Sequence, residues 1–271
     1  MLSHSVKLAL TCLSFYSSLS SAATSKHGLK IPTGWSVPGV GTFNSQLTLD
    51  FTKSSSLGSD MRMSDYTVSA GGAPYAHSFT PNNVHFNPGD SISLLVPRVS
   101  TAQNVTTIPS AEIVTAYDDI LYGSIRVVAK PSTTAGTCKG FFFYQADNQE
   151  TDIEILTNRE IDDLSGVWFT NQRVHPGAKA TTYQVPPPKN YTDGYHEYRI
   201  DWLPGSTRFY LDGVLRNAFT QNVASKPSSF VINNWSNGDK EWSAGPPRQL
   251  SDLRIRSIVG YFNRTSVASG K

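Results

Sequence analysis

Charge of either sign is scarce in this chain of 271 residues: only 16% are charged, and 23 Lys and Arg nearly cancel 21 Asp and Glu. The basic residues are scattered singly, which excludes the concentrated patch that a nucleic-acid partner needs. No apolar run reaches the ~18–20 residues that span a bilayer, so no membrane partner is expected. Cysteine is rarer still, with Cys12 and Cys138 alone, and a disulfide-stapled scaffold is excluded with it. An aromatic content of 11% excludes a disordered chain, which cannot bury a core. Also missing are G-x-S-x-G, G-x-x-x-x-G-K-[ST], H-E-x-x-H and C-x-x-C, which removes several hydrolase, nucleotide, zinc and redox chemistries. The six His are dispersed, and Asp147–Glu154 lacks the glycine of a calcium loop. No metal or cofactor is expected.

The first 23 residues read as a signal peptide. Lys7 gives a basic start, an apolar stretch runs from Leu8 to Tyr16, and small residues end in Ser21-Ala22-Ala23, in the order that export and cleavage require. Cleavage leaves Thr24–Lys271 as a single domain with Cys138 as its one thiol. That thiol precedes Phe141-Phe142-Phe143 and is expected to be buried. Sequons at Asn104, Asn190, Asn234 and Asn263 are candidate N-glycan sites and agree with export. No hydrophobic tail follows Asn263, so no lipid anchor is expected. The expected product is a secreted monomer, extracellular or associated with the cell wall.

Strand signals dominate what remains. Short aromatic and β-branched runs, many alternating with period 2, cover 112–117, 122–130, 140–145, 150–157, 166–171, 196–203, 207–211, 229–235 and 252–262. Pro204-Gly205 and Asp212-Gly213 punctuate them as turns. Residues 52–110 are rich in Ser, Gly, Pro and Asn and read as strands joined by long loops. No stretch repeats apolar residues at helical spacing. The fold expected is all-β, two packed sheets in one domain.

The informative feature is Glu150-Thr151-Asp152-Ile153-Glu154. In a strand the three acids share one face, with Thr151, Ile153 and Ile155 on the other, taken here as outward-facing at Thr151. Like charges that close raise one another's pKa, a cost that suits a glycosidase, which needs one carboxylate ionised and one protonated at the same pH. A solvated edge strand that keeps acids outward to block aggregation accounts for the alternation equally well. On a flat strand the Cα atoms of Glu150 and Glu154 would lie ~13 Å apart. The ~5–5.5 Å carboxyl separation of a retaining enzyme therefore requires the strand to curve.

These residues resemble the E-x-D-x-E signature of glycoside hydrolase family 16, and flanking segments match in the same order. Tyr122–Lys130 is similar to the family's Y-G-x-x-x-V-R-x-K strand, with Arg126 one place early. Tyr195–Trp202 and Arg208–Gly213 resemble its H-x-Y-x-x-D-W and Y-x-D-G strands, and Asn233-Asn234-Trp235 with Trp242 and Gly245 resembles its N-x-W…W-x-G segment. Gly136–Phe142 is similar to fungal members of the β-glucanase and transglycosylase type. The resemblance implies a jelly-roll β-sandwich of two antiparallel sheets with a concave carbohydrate-binding cleft. It implies Glu150 as nucleophile, Glu154 as general acid/base and Asp152 as the residue that tunes their pKa values. It also implies Trp235, Trp242, His196 and Asn234 as substrate-binding candidates, and β-glucan as the polysaccharide partner.

Three functions follow as expectations. The first is a secreted retaining endo-glycosidase that hydrolyses β-1,3/1,4-glucan by double displacement. The second is a cell-wall transglycosylase using the same carboxylates. The third is a carbohydrate-binding sandwich without activity, which three aligned acids argue against.

Overall fold

The computed structural model describes residues 28–31, 34–100, 104–157 and 165–267. The expected signal peptide lies outside these residues. Three short strands, β1 (Leu29–Ile31), β2 (Gly34–Val37) and β3 (Gly41–Phe43), form a small antiparallel sheet. Among the described residues a nine-stranded sheet follows, called here the cleft sheet. Its members are β5 (Met61–Met63), β6 (Tyr66–Val68), β7 (Ala76–Phe79), β10 (Thr107–Thr115), β12 (Cys138–Ala146), β13 (Gln149–Leu156), β14 (Gly166–Asn171), β15 (Thr181–Val185) and β19 (Ser229–Trp235). The second large sheet holds β4 (Ser45–Asp50), β8 (Val84–Asn87), β9 (Ser91–Val96), β11 (Ile120–Pro131), β16 (His196–Leu203), β17 (Ser206–Leu211), β18 (Val214–Phe219) and β20 (Ser251–Arg264).

Every strand range expected from Glu112 onwards holds a strand: β14, β16 and β19 have the expected bounds, β11, β12, β17 and β20 are one to three residues longer, β13 is shifted back by one, and β10 begins five residues earlier and ends two earlier. Strands β1 to β4, β15 and β18 are additional; β15 and β18 flank their sheets at an end and carry mostly polar or exposed side chains, so no apolar alternation marks them. The β16–β17 turn is Pro204-Gly205, and the β17–β18 turn is Asp212-Gly213 with φ of 53° and 75°. Two successive positive φ values define the hairpin turn that suits strand twist, which is why Asp-Gly stands there.

Period 2 along each strand sends one set of side chains into the space between the sheets. Phe141 of β12 stacks on Tyr198 of β16, and Phe169 of β14 on Phe209 of β17, each at 5.0 Å between ring centroids. Trp202 is fully buried; it lies 5.0 Å from Phe143 and donates its indole N–H to Ala224 O at 2.8 Å. Each such ring contributes ~1.5–3 kcal/mol by leaving water. These contacts pin β12 and β14, the strands on either side of β13, to the second sheet.

One interior position carries an ammonium group. Lys139 is 0% exposed, and its ammonium donates to Thr137 Oγ1 at 2.5 Å and Thr157 Oγ1 at 3.3 Å. Burial pulls its pKa down to about 7, against smaller opposing effects of Cys138 and Asp252. Between that value and the unfolded pKa near 10.4 the unfolded chain binds the extra proton, so stability rises with pH across this window. The destabilisation is complete below pH 7. Lys139→Met is therefore expected to raise thermal stability most at pH 6–7. Its advantage should shrink by ~1.4 kcal/mol per pH unit between 7 and 10, as read from unfolding of both proteins across that range.

Candidate active site

Strand β13 lies between β12 and β14, paired to both along its length. It is an interior strand, so its acids are not the guards of an open edge. Thr151, Ile153 and Ile155 are buried in the sandwich. This corrects the expectation for Thr151, which faces inward and donates its hydroxyl to Asn171 Oδ1 at 2.7 Å. On the opposite face Glu150 pairs with Tyr144, Asp152 with Phe142 and Glu154 with Gly140. The same cross-sheet row carries Glu154, Gly140, Asn233 and Glu112. A groove of about 490 Å³ runs over these strands, and Glu150, Glu154, Asn233, Trp235, Glu112 and His77 all line it. A second recess of about 630 Å³ adjoins it and shares Tyr66, Glu112, Tyr144 and Val231.

The three acids of β13 hold protons more tightly than free carboxyls do. Burial and the charge of Glu154 push Glu150 up. Burial and both Glu neighbours push Asp152 well up. Burial raises Glu154, against two donors that favour its ionised form. Those donors are Cys138 Sγ at 3.1 Å and Trp242 Nε1 at 3.2 Å, both on Oε1. Asp152 is 1% exposed, and the hydrogen bonds of Thr170 and Gln172 that favour its ionised form are outweighed by burial and by the two glutamates. A buried carboxylate so placed is neutral instead of ionised. The three groups titrate as one unit, with protons that belong to the cluster. Such a unit can present a carboxylate and a carboxylic acid on one groove wall at the same pH. Among the described residues no group of His, Cys, Asp and Glu is arranged to hold a metal ion.

Residues 72–250 match the family model for glycosyl hydrolases family 16. The chain belongs to glycosyl hydrolase family 16. It is a glycoside hydrolase, acting on O-glycosyl bonds. It is 27% identical over 177 residues to a β-glucanase of Paenibacillus macerans, covering 63% of this chain and 70% of that one. With a β-glucanase of Paenibacillus polymyxa it shares 29% over 126 residues, or 42% of this chain; this chain spans about half of that relative's length, 48%. The structure of a Bacillus licheniformis β-glucanase superposes with a TM-score of 0.65 at 20% identity, covering 81% of this chain and 98% of that one. The catalytic domain of an endo-1,3-β-glucanase (laminarinase) from Thermotoga petrophila gives 0.63 at 17%, covering 81% and 97%. The fold is the family 16 β-sandwich.

Within this family 16 framework the expected substrate-binding residues divide. Trp235 lines the groove and stacks on the His77 ring at 4.9 Å with planes 24° apart. Trp242 reaches Glu154, as above, and lies 5.5 Å from Trp168. Asn234 is a correction: it is 0% exposed, faces the sandwich interior, and donates to Leu94 O at 2.9 Å and Ser251 O at 3.3 Å. Its amide is equally closed to a glycan, whereas Asn104 and Asn190 are exposed. His196 is a second correction. It sits on β16 of the second sheet, and its Nδ1 bonds Asp212 Oδ2 at 2.8 Å, away from the carboxylates of β13.

Several groove residues were not anticipated. Asn233 occupies the place expected of Asn234, which alternation with Trp235 could have revealed. Glu112 is 4% exposed; its carboxylate accepts from Ser64 at 2.7 Å, Tyr66 at 3.1 Å and Asn233 at 3.3 Å. His77 is kept neutral by burial, its pKa lowered to about 4. Glu112 and His77 enter through strand register, which no local pattern encodes. The two asparagines make a paired test. Asn234→Ala is expected to cost ~1–3 kcal/mol in unfolding free energy by stranding buried acceptors. Asn233→Ala strands the buried Gly140 N–H and one acceptor of Glu112, so it should cost a comparable amount and, unlike Asn234→Ala, also impair turnover, measured by thermal unfolding and steady-state kinetics.

Proposed function

We propose that this enzyme is a secreted retaining endo-glycosidase that cleaves β-1,3/1,4-glucan by double displacement. The observation that carries this reading is the carboxyl triad of β13, mutually coupled, with Asp152 buried and Glu150 and Glu154 open to one groove. The β-glucanase and laminarinase names of its relatives support the substrate class, as does a groove wall built from aromatic rings and amides.

In this mechanism the Glu150 carboxylate attacks the anomeric carbon as the glycosidic C–O bond breaks. The carboxyl proton of Glu154 passes to the departing sugar oxygen. The Glu154 carboxylate then takes a proton from water, whose oxygen attacks the anomeric carbon and releases Glu150. Asp152, protonated between them, adds no third negative charge and so lets Glu150 ionise. Trp235 offers a ring to a sugar face, braced from behind by His77.

Export is supported by the basic, apolar and small-residue order of residues 1–23. Monomeric state and glycans at Asn104, Asn190 and Asn263 complete the proposal. The Gly136–Phe142 segment supports placement with fungal β-glucanases and transglycosylases.

The test is product analysis on laminarin and mixed-linkage β-glucan. Shortened chains whose first-formed reducing ends are β-anomers by NMR are expected, and α-anomers would contradict double displacement. Products longer than the donor would assign transfer to a sugar hydroxyl instead of water, and binding without turnover would leave only a lectin. Glu150→Gln and Glu154→Gln are each expected to lower kcat on glucan by at least ~10³-fold with near-normal folding. Wild-type rates in either variant would remove its assigned role.

A further inference from the structure

Glu154 is held by one oxygen. Gly140 stands directly across from it on β12, where a Cβ would meet the Asn233 amide oxygen at 2.7 Å and the Phe142 ring. Cys138 is the next residue of β12 on that face, two positions from Gly140. Its thiol meets Glu154 Oε1 at 3.1 Å, and the Trp242 indole meets the same oxygen at 3.2 Å from the other side. Among the described residues no hydrogen bond reaches Oε2.

We propose that Cys138 is a positioning residue for the glycosidase reaction, acting with Trp242 to fix Glu154 Oε1 as a permanent acceptor so that the transferred proton travels on Oε2. The proposal rests on Glu154 being the acid/base. Its chemistry is one of donor count. An indole N–H can only donate, and a thiol donates far better than it accepts. An oxygen receiving both cannot also carry a proton, so Oε1 stays the carbonyl-like oxygen while Glu154 is protonated. When Glu154 is ionised the same two bonds persist and strengthen, and Oε2 is free to take the proton of water. Neither bond has to break during the cycle, and the carboxyl keeps one orientation through both halves of it.

The thiol is suited to this duty. Cys138 is 0% exposed and in no disulfide, and burial together with the nearby Glu154 charge pushes its pKa well up. It therefore remains S–H, a donor, throughout the working range. As a donor to the carboxylate it lowers the pKa of Glu154 against the opposing effect of burial.

The experiment compares wild type with Cys138→Ala, Cys138→Val and Cys138→Ser, reading kcat, KM and the pH profile on mixed-linkage β-glucan. Valine keeps the volume without the donor, so it carries the test if alanine folds poorly, and thermal unfolding checks each variant. Alanine and valine are expected to lower kcat by about tenfold with little change in KM. They should also move the basic limb of the profile up by roughly half a unit to one unit. Serine, which restores a donor, should return the limb towards its wild-type position. A wild-type profile in the valine variant, or an equal shift in serine and valine, would reduce Cys138 to packing and overturn the proposal. Failure of the underlying reading is separate: it would appear as glucan turnover surviving in Glu154→Gln, whatever residue stands at 138.

Discussion

Everything at this site depends on one strand serving two opposed environments. Residues 151, 153 and 155 of β13 are committed to the sandwich core, and the two-residue period then commits 150, 152 and 154 to the groove. Apolar burial on one side holds the acids in place on the other, at spacings they would not choose. A shift of a single residue in register would put three carboxyls between the sheets and three core side chains in the groove. The aromatic stacks of Phe141 on Tyr198 and Phe169 on Phe209 fasten the two neighbouring strands, so the repulsion among the acids is met by packing that is not itself part of the chemistry.

The cleft sheet carries two kinds of buried carboxyl, and the contrast explains how protons are distributed. Glu112 accepts three hydrogen bonds from neutral donors, which favour its ionised form and oppose the effect of burial. Asp152 is buried as deeply, and its hydrogen bonds from Thr170 and Gln172 are outweighed by burial and by two neighbouring carboxyls, which push its pKa well up. The first is a braced acceptor that orders Ser64, Tyr66 and Asn233 around the groove. The second is driven towards its neutral form by burial and by the glutamates on either side. Glu154 lies between these extremes, with two donors on one oxygen, which is the state expected of a group that must both give and take a proton.

How far the sequence could be read follows from the range of each signal. Alternation is local, so the acids of β13, their common face and the all-β architecture were legible. The turn chemistry at Asp212-Gly213 was legible for the same reason. Register between strands is not local: nothing near Glu112 or His77 announces that they meet Asn233 and Trp235 across the sheet. The mistakes at Asn234 and His196 have a shared cause. Both were taken from motifs that resemble the family's, without asking which way the residue pointed; Asn234 fails on alternation with Trp235, and His196 fails because its strand belongs to the other sheet. Thr151 was assigned outward on the same omission. Strands β15 and β18 escaped because an edge strand bathed in solvent has no apolar face to display.

The scarcity of charge also takes on a sharper meaning. Of the 21 acidic residues, four fall within Asp147–Glu154, so the acid content is concentrated where the chain can least easily bear it. An anionic polymer would meet that groove against the field of its acids, whether or not the net charge of the whole chain is near zero. A neutral glucan meets no such barrier and needs no steering. It can displace water from around the triad without bringing charge of its own, and each acid is then worth more electrostatically than it was in the open groove. A chain whose remaining surface is nearly balanced leaves that local field uncontested, which is the arrangement an enzyme for uncharged polysaccharide requires.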